Sequence, residues 1–424
     1  MKIYKDVPRE QWKEILLRPY ADNAPLLESV KQLMEAVRTG GDAALFALTE
    51  KFDGAKLTAL EVSEAELAAA ESWLDAGLKS AIRAAAGNIE SFHRVQLSPP
   101  VPIETVQGIH CWRKSVGIEK VGIYVPGGSA PLFSTVLMLG IPAALAGCKD
   151  IVLCTPCSPG GDVHPAILFA ARLVGIKRIF KIGGAQAVAA MAYGTETVPA
   201  VYKIFGPGNQ YVTAAKQLVQ MEGLSIDMPA GPSEVCIWAD ETADPRFVAA
   251  DLLSQAEHGP DSQVLLVSRS EELVKAVVEE VTRQLGLLPR KAIAGRAMEN
   301  SRAIVAGDDE EALDLVNAYA AEHLIISCKE AETLAERVVN AGSVFIGNYT
   351  PESLGDYASG TNHTLPTNGF ARAYSGVSVD SFVKTITFQK ASFQGLKNIS
   401  GTVVAMAEAE GLKAHAEAVR IRLS

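Results

Sequence analysis

Four of the seven histidines sit beside acids or amides in the C-terminal half: His258 in SQAEHGPD, His323 in AEHLII, His363 in GDYASGTNH and His415 in EGLKAH. Imidazole is the commonest metal ligand and the side chain best suited to moving protons near neutral pH. The grouping therefore suggests a metal site, an acid–base site, or both. Gln255 and His258 are three apart at the end of a helix that Asp244 caps, Pro245 opens and Gly259-Pro260 ends. That spacing puts an amide oxygen and an imidazole on one face, where they can ligate one cation. A histidine stabilised by the helix dipole reads the same residues equally well.

Glu322-His323 sets an acid beside a base where a helix gives way to the strand LIIS. Such a pair suits two different proton transfers. The junction falls at the amino end of that strand, not at the carboxyl end where open α/β sheets usually bind ligands. Asp356 and His363 share a loop rich in Gly, Ser, Thr and Asn over residues 347–376, with Glu352 just upstream. A loop this long in a compact protein is usually functional or disordered. Glu410 and His415, five apart on a final helical segment, point in different directions, and on local pattern His415 reads as a solvated residue. As a set, Gln, His, Asp and His offer N and O donors without thiolate, which fits Zn²⁺ or Mn²⁺ better than a cysteine-rich structural zinc.

The elements that must position these residues are α/β in pattern. The first hundred residues read as helices, with a Ser63/Glu66 capping box and a helix over 78–97 stopped by Pro99-Pro100. From Lys120 short apolar strands alternate with helices: GIYV, DIVLCT, RIFKIG and VYKIFG, then a second series of EVCIWA, QVLLVS, SRAIVA, HLIIS and SVFIG. Alternation of this kind builds βαβ units, and continuous Val/Ile/Leu runs mark parallel strands buried on both faces. The segment from Val379 reads as helices. Gly183-Gly184 and Gly206-Pro207-Gly208-Asn209 link strands to helices, where free N–H groups can meet anions. Neither is G-x-G-x-x-G, and no G-x-x-x-x-G-K-[ST] occurs, so the dinucleotide fingerprint and the P-loop are both missing.

Bulk properties narrow the function class. A chain of 424 residues with 48% hydrophobic and 21% charged content reads as a globular protein of two or three domains. Its net charge of −10 argues against nucleic-acid binding. The longest apolar run, 135–147, is broken by Gly140 and Pro142, and the N-terminus has no signal-peptide pattern, so no membrane partner is expected. Six cysteines make no disulfide scaffold, and a reducing cytoplasm is the expected location. Cys154 and Cys157 have redox-pair spacing, but they read as the end of a buried strand and the start of its loop.

SQAEHGPDSQ at 254–263, EHLII at 322–326, PESLGDYASGTNHTLPT at 351–367, MPAGPSE at 228–234, YVPGGSAP at 124–131 and KIFGPGN at 203–209 together resemble the histidinol dehydrogenase family over nearly the whole chain. The resemblance implies two incomplete Rossmann-like parallel-sheet domains, with a helical N-terminal segment (1–20) and a helical C-terminal tail (377–424) reaching a partner subunit. Residues 21–120 and 234–376 would form the domain with the zinc and catalytic residues, and 121–233 the NAD-contacting domain. It implies oxidation of L-histidinol to L-histidinaldehyde and then L-histidine with two NAD⁺, in a zinc-dependent homodimer.

By the same resemblance, Gln255, His258, Asp356 and His415 hold Zn²⁺, His415 from the other subunit. His323 takes the alcohol proton and Glu322 activates water. Ser233, Gln255, His258, His323, Asp356, His363, Glu410 and His415 contact substrate, Glu352 assists in the same pocket, and Tyr124, Gln186 and Asn209 contact NAD⁺. Ala320-Ala321 ahead of Glu322 departs from the family's usual pattern and bears on local helix geometry. The alternatives are a related dehydrogenase for another small polar alcohol such as a sulfonated diol, a zinc hydrolase using Glu322 on water, and a two-domain binding protein. The presence of Ser233, His363 and Glu410 favours histidinol among the alcohols.

Overall fold

The structure, a computed structural model, describes residues 1–19, 24–127, 131–229 and 231–424. Residues 128–130 of the YVPGGSAP motif and Ala230 of MPAGPSE lie outside the described residues. Two parallel sheets carry the fold. One is built from Lys120–Tyr124, Asp150–Thr155, Arg178–Lys181, Lys203–Phe205 and Ser225–Ile226, lying side by side in the order third, second, first, fourth, fifth. The other, from Glu234–Ala239, Gln263–Ser268, Arg302–Val305, His323–Ser327 and Ser343–Ile346, has the same order, with Lys2–Lys5 added at its edge. The two series in the sequence thus share a winding as well as a pattern. Each sheet has a switch point beside its first strand, where neighbouring crossovers leave in opposite directions and open a crevice.

Strands such as EVCIWA and QVLLVS are buried at every position, because helices cover both faces. The helix Pro245–Ala256 covers the six-stranded sheet through Val248, Ala249, Leu252 and Leu253. The N-terminal helices behave differently from the expected grouping of 21–120 with 234–376. Helix Ala24–Asp53 packs Val30, Met34, Val37 and Leu45 on one face of the five-stranded sheet. Helix Ala76–Arg94 packs Ile82, Ala86 and Ile89 on the other face. Their apolar stripes complete the sheet next in sequence, so the substance of the first hundred residues belongs with 121–233.

Two further expectations are corrected at the termini. Residues 1–20 are not wholly helical: Lys2–Lys5 is a strand paired in parallel with Arg302–Val305, ahead of the helix Arg9–Ile15. Four residues with one Lys at each end give little periodicity to read. The tail is not wholly helical either. Val383–Ala391 is a strand that pairs antiparallel with Ile109–Gly117, and Ile103–Val106 completes a three-stranded sheet. The β-branched residues of VKTITF favour an extended strand, which is largely exposed in this chain. Cys154 and Cys157 are free thiols, and burial pushes both above the ordinary thiol range. Among the described residues no helix is long and apolar enough to cross a membrane.

At the switch point of the five-stranded sheet Gly206 has φ +124°, and a Cβ there would collide with the carbonyl of Tyr124. Gly223 also has positive φ, +98°, but open space around it. Gly223→Ala should cost about 1–2 kcal/mol from backbone strain, and Gly206→Ala about 2 kcal/mol more from the clash. Urea unfolding of the two variants measures the difference. Equal losses would show that the close approach of the two loops does not matter.

Candidate active site

The helix Asp309–Tyr319 ends on Ala320, whose left-handed backbone (φ 54°, ψ 59°) turns the chain into the strand His323–Ser327. An alanine in that region costs about 1–2 kcal/mol, and the residues it delivers are Glu322 and His323. Both are buried, at 7% and 3% exposure, on the amino edge of the six-stranded sheet. Glu322 Oε2 accepts from the backbone N–H of Glu234 at 3.0 Å and from Gln255 Nε2 at 3.3 Å. His323 lies between acids: Nδ1 is 3.7 Å from Glu322 Oε2 and Nε2 is 3.4 Å from Asp356 Oδ1.

Gln255 comes from the last turn of Pro245–Ala256, which Asp244 caps by accepting from Arg246 N at 2.8 Å. His258 follows just beyond the helix, its N–H donating to Gln255 O at 3.3 Å. Glu352 and Asp356 sit four apart on the short helix Glu352–Tyr357. One ligand atom each from His258, Glu352 and Asp356 lie within 4.8 Å of one another. His258 is exposed at the mouth, and Glu352 is buried behind it.

The electrostatics of this group are lopsided. Burial pushes Glu322 up to about 7, and burial together with the nearby carboxylates holds Glu352 well above the carboxylate range. Burial opposes charge on His323, yet Glu322, Glu352 and Asp356 outweigh it and push its pKa up to about 10. Gln255 Oε1, Glu352 Oε2 and both ring nitrogens of His323 are buried without a hydrogen-bond partner. Native structures rarely leave such groups unpaired. N and O donors facing surplus negative charge fit a divalent cation, which would also draw the His323 imidazole back toward neutrality.

His363 closes the pocket from the other side. Its Nδ1 donates to the Asp356 carbonyl at 2.9 Å, so Nε2 is the acceptor and faces Thr135 Oγ1 at 3.2 Å. Burial lowers its pKa and favours this neutral form. Thr135 opens the helix Phe133–Leu145, which leaves the carboxyl edge of the five-stranded sheet. The amino edge of one sheet therefore meets the carboxyl edge of the other across this contact. Next door, Asn362 Nδ2 donates to Met138 O at 2.6 Å and approaches His93 Nε2 at 3.4 Å, with His93 Nδ1 donating to Ile89 O at 2.8 Å.

The five-stranded sheet presents its own polar groups at that edge. The Tyr124 hydroxyl accepts from Gly184 N at 3.0 Å, Gln186 is buried in the helix Gly184–Tyr193, and Asn209 caps Gln210–Met221 by accepting from Tyr211 N and Val212 N. Lys216, ion-paired with Asp227, donates to Gly206 O at 2.9 Å, and Asp227 accepts from Gly206 N at 2.8 Å. The glycine turn is thus held from below.

Of the residues singled out in the sequence, Gln255, His258, Glu322, His323, Glu352, Asp356 and His363 come together. Ser233 is half-buried just before the strand Glu234–Ala239. Glu410 and His415 do not join them within one chain. They are exposed on either side of a break at Gly411 (φ 74°): Glu410 caps Phe393–Ala409 and His415 lies in Lys413–Arg420, so they do not share one continuous helix. Thr135, Asn362 and His93 were not legible as site residues. The one trace of Thr135 in the sequence is a polar pair, Ser134-Thr135, opening an otherwise apolar helix.

Two wound α/β sheets meeting over a buried acid–base pair and a cation-ready donor set supply the parts that a metal-assisted dehydrogenase needs, and the chain's likeness to known proteins assigns that class. The family model for histidinol dehydrogenase matches residues 16–423. The chain is 58% identical over 424 residues to histidinol dehydrogenase of Bacteroides thetaiotaomicron, covering 100% of this chain and 99% of that protein. It is 55% identical over 397 residues to the histidinol dehydrogenase of Xylella fastidiosa, covering 93% and 92%. The crystal structure of histidinol dehydrogenase from Elizabethkingia anophelis superposes with a TM-score of 0.97 at 54% identity, covering 100% of this chain and 98% of that one. The chain belongs to the histidinol dehydrogenase family, and it is an enzyme.

Thr135→Val removes the donor that orients His363 while keeping the shape. It should lower kcat/KM about tenfold, since a lost hydrogen bond of about 1.4 kcal/mol is a factor of ten. Steady-state kinetics beside thermal unfolding would test it, and an unchanged kcat/KM would show that His363 needs no support from the other sheet.

Proposed function

We propose that this enzyme oxidises L-histidinol to L-histidine through L-histidinaldehyde, consuming two NAD⁺ in the last step of histidine biosynthesis in the cytoplasm. The observation that carries the reading is the buried pair Glu322-His323 beside the His258, Glu352 and Asp356 cluster. Gln255, His258 and Asp356 would hold Zn²⁺, with His415 reaching in from a second copy of the chain. The orphaned Gln255 Oε1 and the N/O donor set support zinc there. Bound zinc supplies an anchor for the imidazole and amino nitrogens of the substrate.

His323 takes the hydroxyl proton as hydride leaves the carbinol carbon for NAD⁺, giving the aldehyde, NADH and a proton. Glu322 then takes a proton from water as the oxygen adds to the aldehyde carbon. His323 returns its first proton to the former carbonyl oxygen, completing the hydrate, and then accepts a hydroxyl proton of that hydrate while a second hydride passes to a second NAD⁺; the acid so formed ionises to the carboxylate. A carboxyl pushed up to about 7 by burial is matched to that exchange with water near neutral pH. Ser233, His363 and Glu410, the last from the second copy, would contact the substrate, and Glu352 would assist from the pocket floor. Tyr124, Gln186 and Asn209 would contact NAD⁺ at the switch point of the five-stranded sheet, as ligands do in open α/β folds. Keeping the aldehyde enclosed between steps protects a reactive intermediate.

Purified zinc-loaded protein with L-histidinol and NAD⁺ should form two NADH per histidine. Release of free aldehyde with one NADH would rule out the four-electron reaction. Mixing inactive His258→Ala chains with inactive His415→Ala chains should restore part of the activity, because a mixed dimer keeps one intact site. No recovery would count against a site completed by a second copy.

A further inference from the structure

Glu322 is held from behind by a residue far from the reacting atoms. Arg18, at the end of the N-terminal segment, donates from Nε to Glu234 Oε2 at 2.6 Å and from Nη2 to the carbonyl of Tyr319 at 2.6 Å. Its guanidinium lies 3.9 Å over the Tyr319 ring. Glu234 is 1% exposed, so its charge is fully removed from water and depends on that partner. The other Glu234 oxygen, Oε1, accepts from Gly369 N at 3.4 Å. The backbone N–H of this same Glu234 donates to Glu322 Oε2 at 3.0 Å. Arg18 is anchored in turn: Leu17 O accepts from Gln263 Nε2 at 3.0 Å, and Gln263 Oε1 accepts from the Tyr319 hydroxyl at 3.0 Å.

The geometry points to Arg18 as a positioning residue for the water-activating carboxylate: by neutralising buried Glu234 it fixes the backbone N–H that aims Glu322. Arg18 also ties both ends of the Tyr319 to Glu322 turn, one through Tyr319 O and the other through Glu234. A lysine would offer a point charge without the planar fork that reaches both acceptors. The inference rests on the reading of Glu322 as the group that acts on water in the second oxidation. It follows that loss of Arg18 should harm aldehyde oxidation more than alcohol oxidation, in which His323 takes the proton.

The zinc-loaded enzyme is to be compared with Glu322→Gln, Arg18→Met, Arg18→Lys and the double variant Arg18→Met/Glu234→Gln. Single-turnover NADH formation is followed from L-histidinol and, separately, from L-histidinaldehyde. Glu322→Gln tests the underlying reading: aldehyde oxidation should fall at least a hundredfold with alcohol oxidation within fivefold. If both fall equally, that reading fails and the inference with it. Given the split, Arg18→Met should slow aldehyde oxidation at least tenfold with alcohol oxidation within threefold. The double variant removes the buried charge together with its partner and should recover to within threefold of the parent. Equal slowing of both halves by Arg18→Met, no slowing, or no recovery in the double variant would each overturn the assignment. If Arg18→Met does not fold, Arg18→Lys must show the same split to a smaller degree, and its absence is equally fatal.

Discussion

Everything in the site follows from one constraint: three carboxyl groups, of Glu322, Glu352 and Asp356, crowd one buried imidazole. Burial disfavours every charge in the group, while the acids favour charge on His323. The protein alone does not balance this arrangement, and buried oxygens on Gln255 and Glu352 stay unpaired. A core built only for stability would not keep such groups, because breaking or omitting a partner in a buried polar set costs several kcal/mol. A bound cation and substrate would complete the charge count there. Acid and base are adjacent in sequence yet held by different partners, Glu322 by Glu234 and Gln255 and His323 beside Asp356.

That constraint decides how the two sheets are joined. The five-stranded sheet presents Tyr124, Gln186 and Asn209 at its carboxyl edge, where open α/β folds usually bind ligands. The six-stranded sheet uses its amino edge, where His323 starts a strand and the helix Pro245–Ala256 ends. With facing edges of opposite polarity, a hydride acceptor on one sheet would face the buried Glu322-His323 pair on the other. Thr135 with His363 and Met138 with Asn362 make direct polar links between the helix of one sheet and the loop that follows the other. The left-handed Ala320 is the local cost of this design, because it bends the chain so that two charged residues enter a strand buried at every position.

Much of this was legible in the sequence, and the gaps have physical causes. Strands buried on both faces announce themselves as apolar runs, so both α/β arrays could be read, as could the Ser63 and Asp244 caps. Gln255 with His258 and Glu322 with His323 could be singled out as pairs by spacing and adjacency, while their roles were implied only by the family resemblance. The strand Lys2–Lys5 was hidden by its shortness and Val383–Ala391 by the helices that follow it. The association of Ala24–Asp53 with the five-stranded sheet could not be read, since an apolar stripe does not say which sheet it will cover. Thr135, His93, Arg18 and Glu234 act through contacts more than 200 residues away in sequence or through backbone groups, and neither leaves a local pattern.

The site is also what makes the sheets one unit. Its residues come from the N-terminal segment, from both wound sheets and from the loop that follows the last parallel strand, so few of its contacts can form until most of the chain is in place. Arg18 meets Glu234, Thr135 meets His363, and Gln255 meets Glu322, each pair joining distant parts of the chain. Loop closure over such distances must be met before any contact contributes. A ligand bound by residues of this kind favours the folded state over the unfolded in proportion to RT ln(1 + [L]/Kd). A cation held by Gln255, His258 and Asp356 would therefore stabilise the junction of helix, strand and loop as well as serve the chemistry. The tail helices keep Phe393, Met406 and Ile421 exposed, so little of their apolar surface is buried by the rest of this chain.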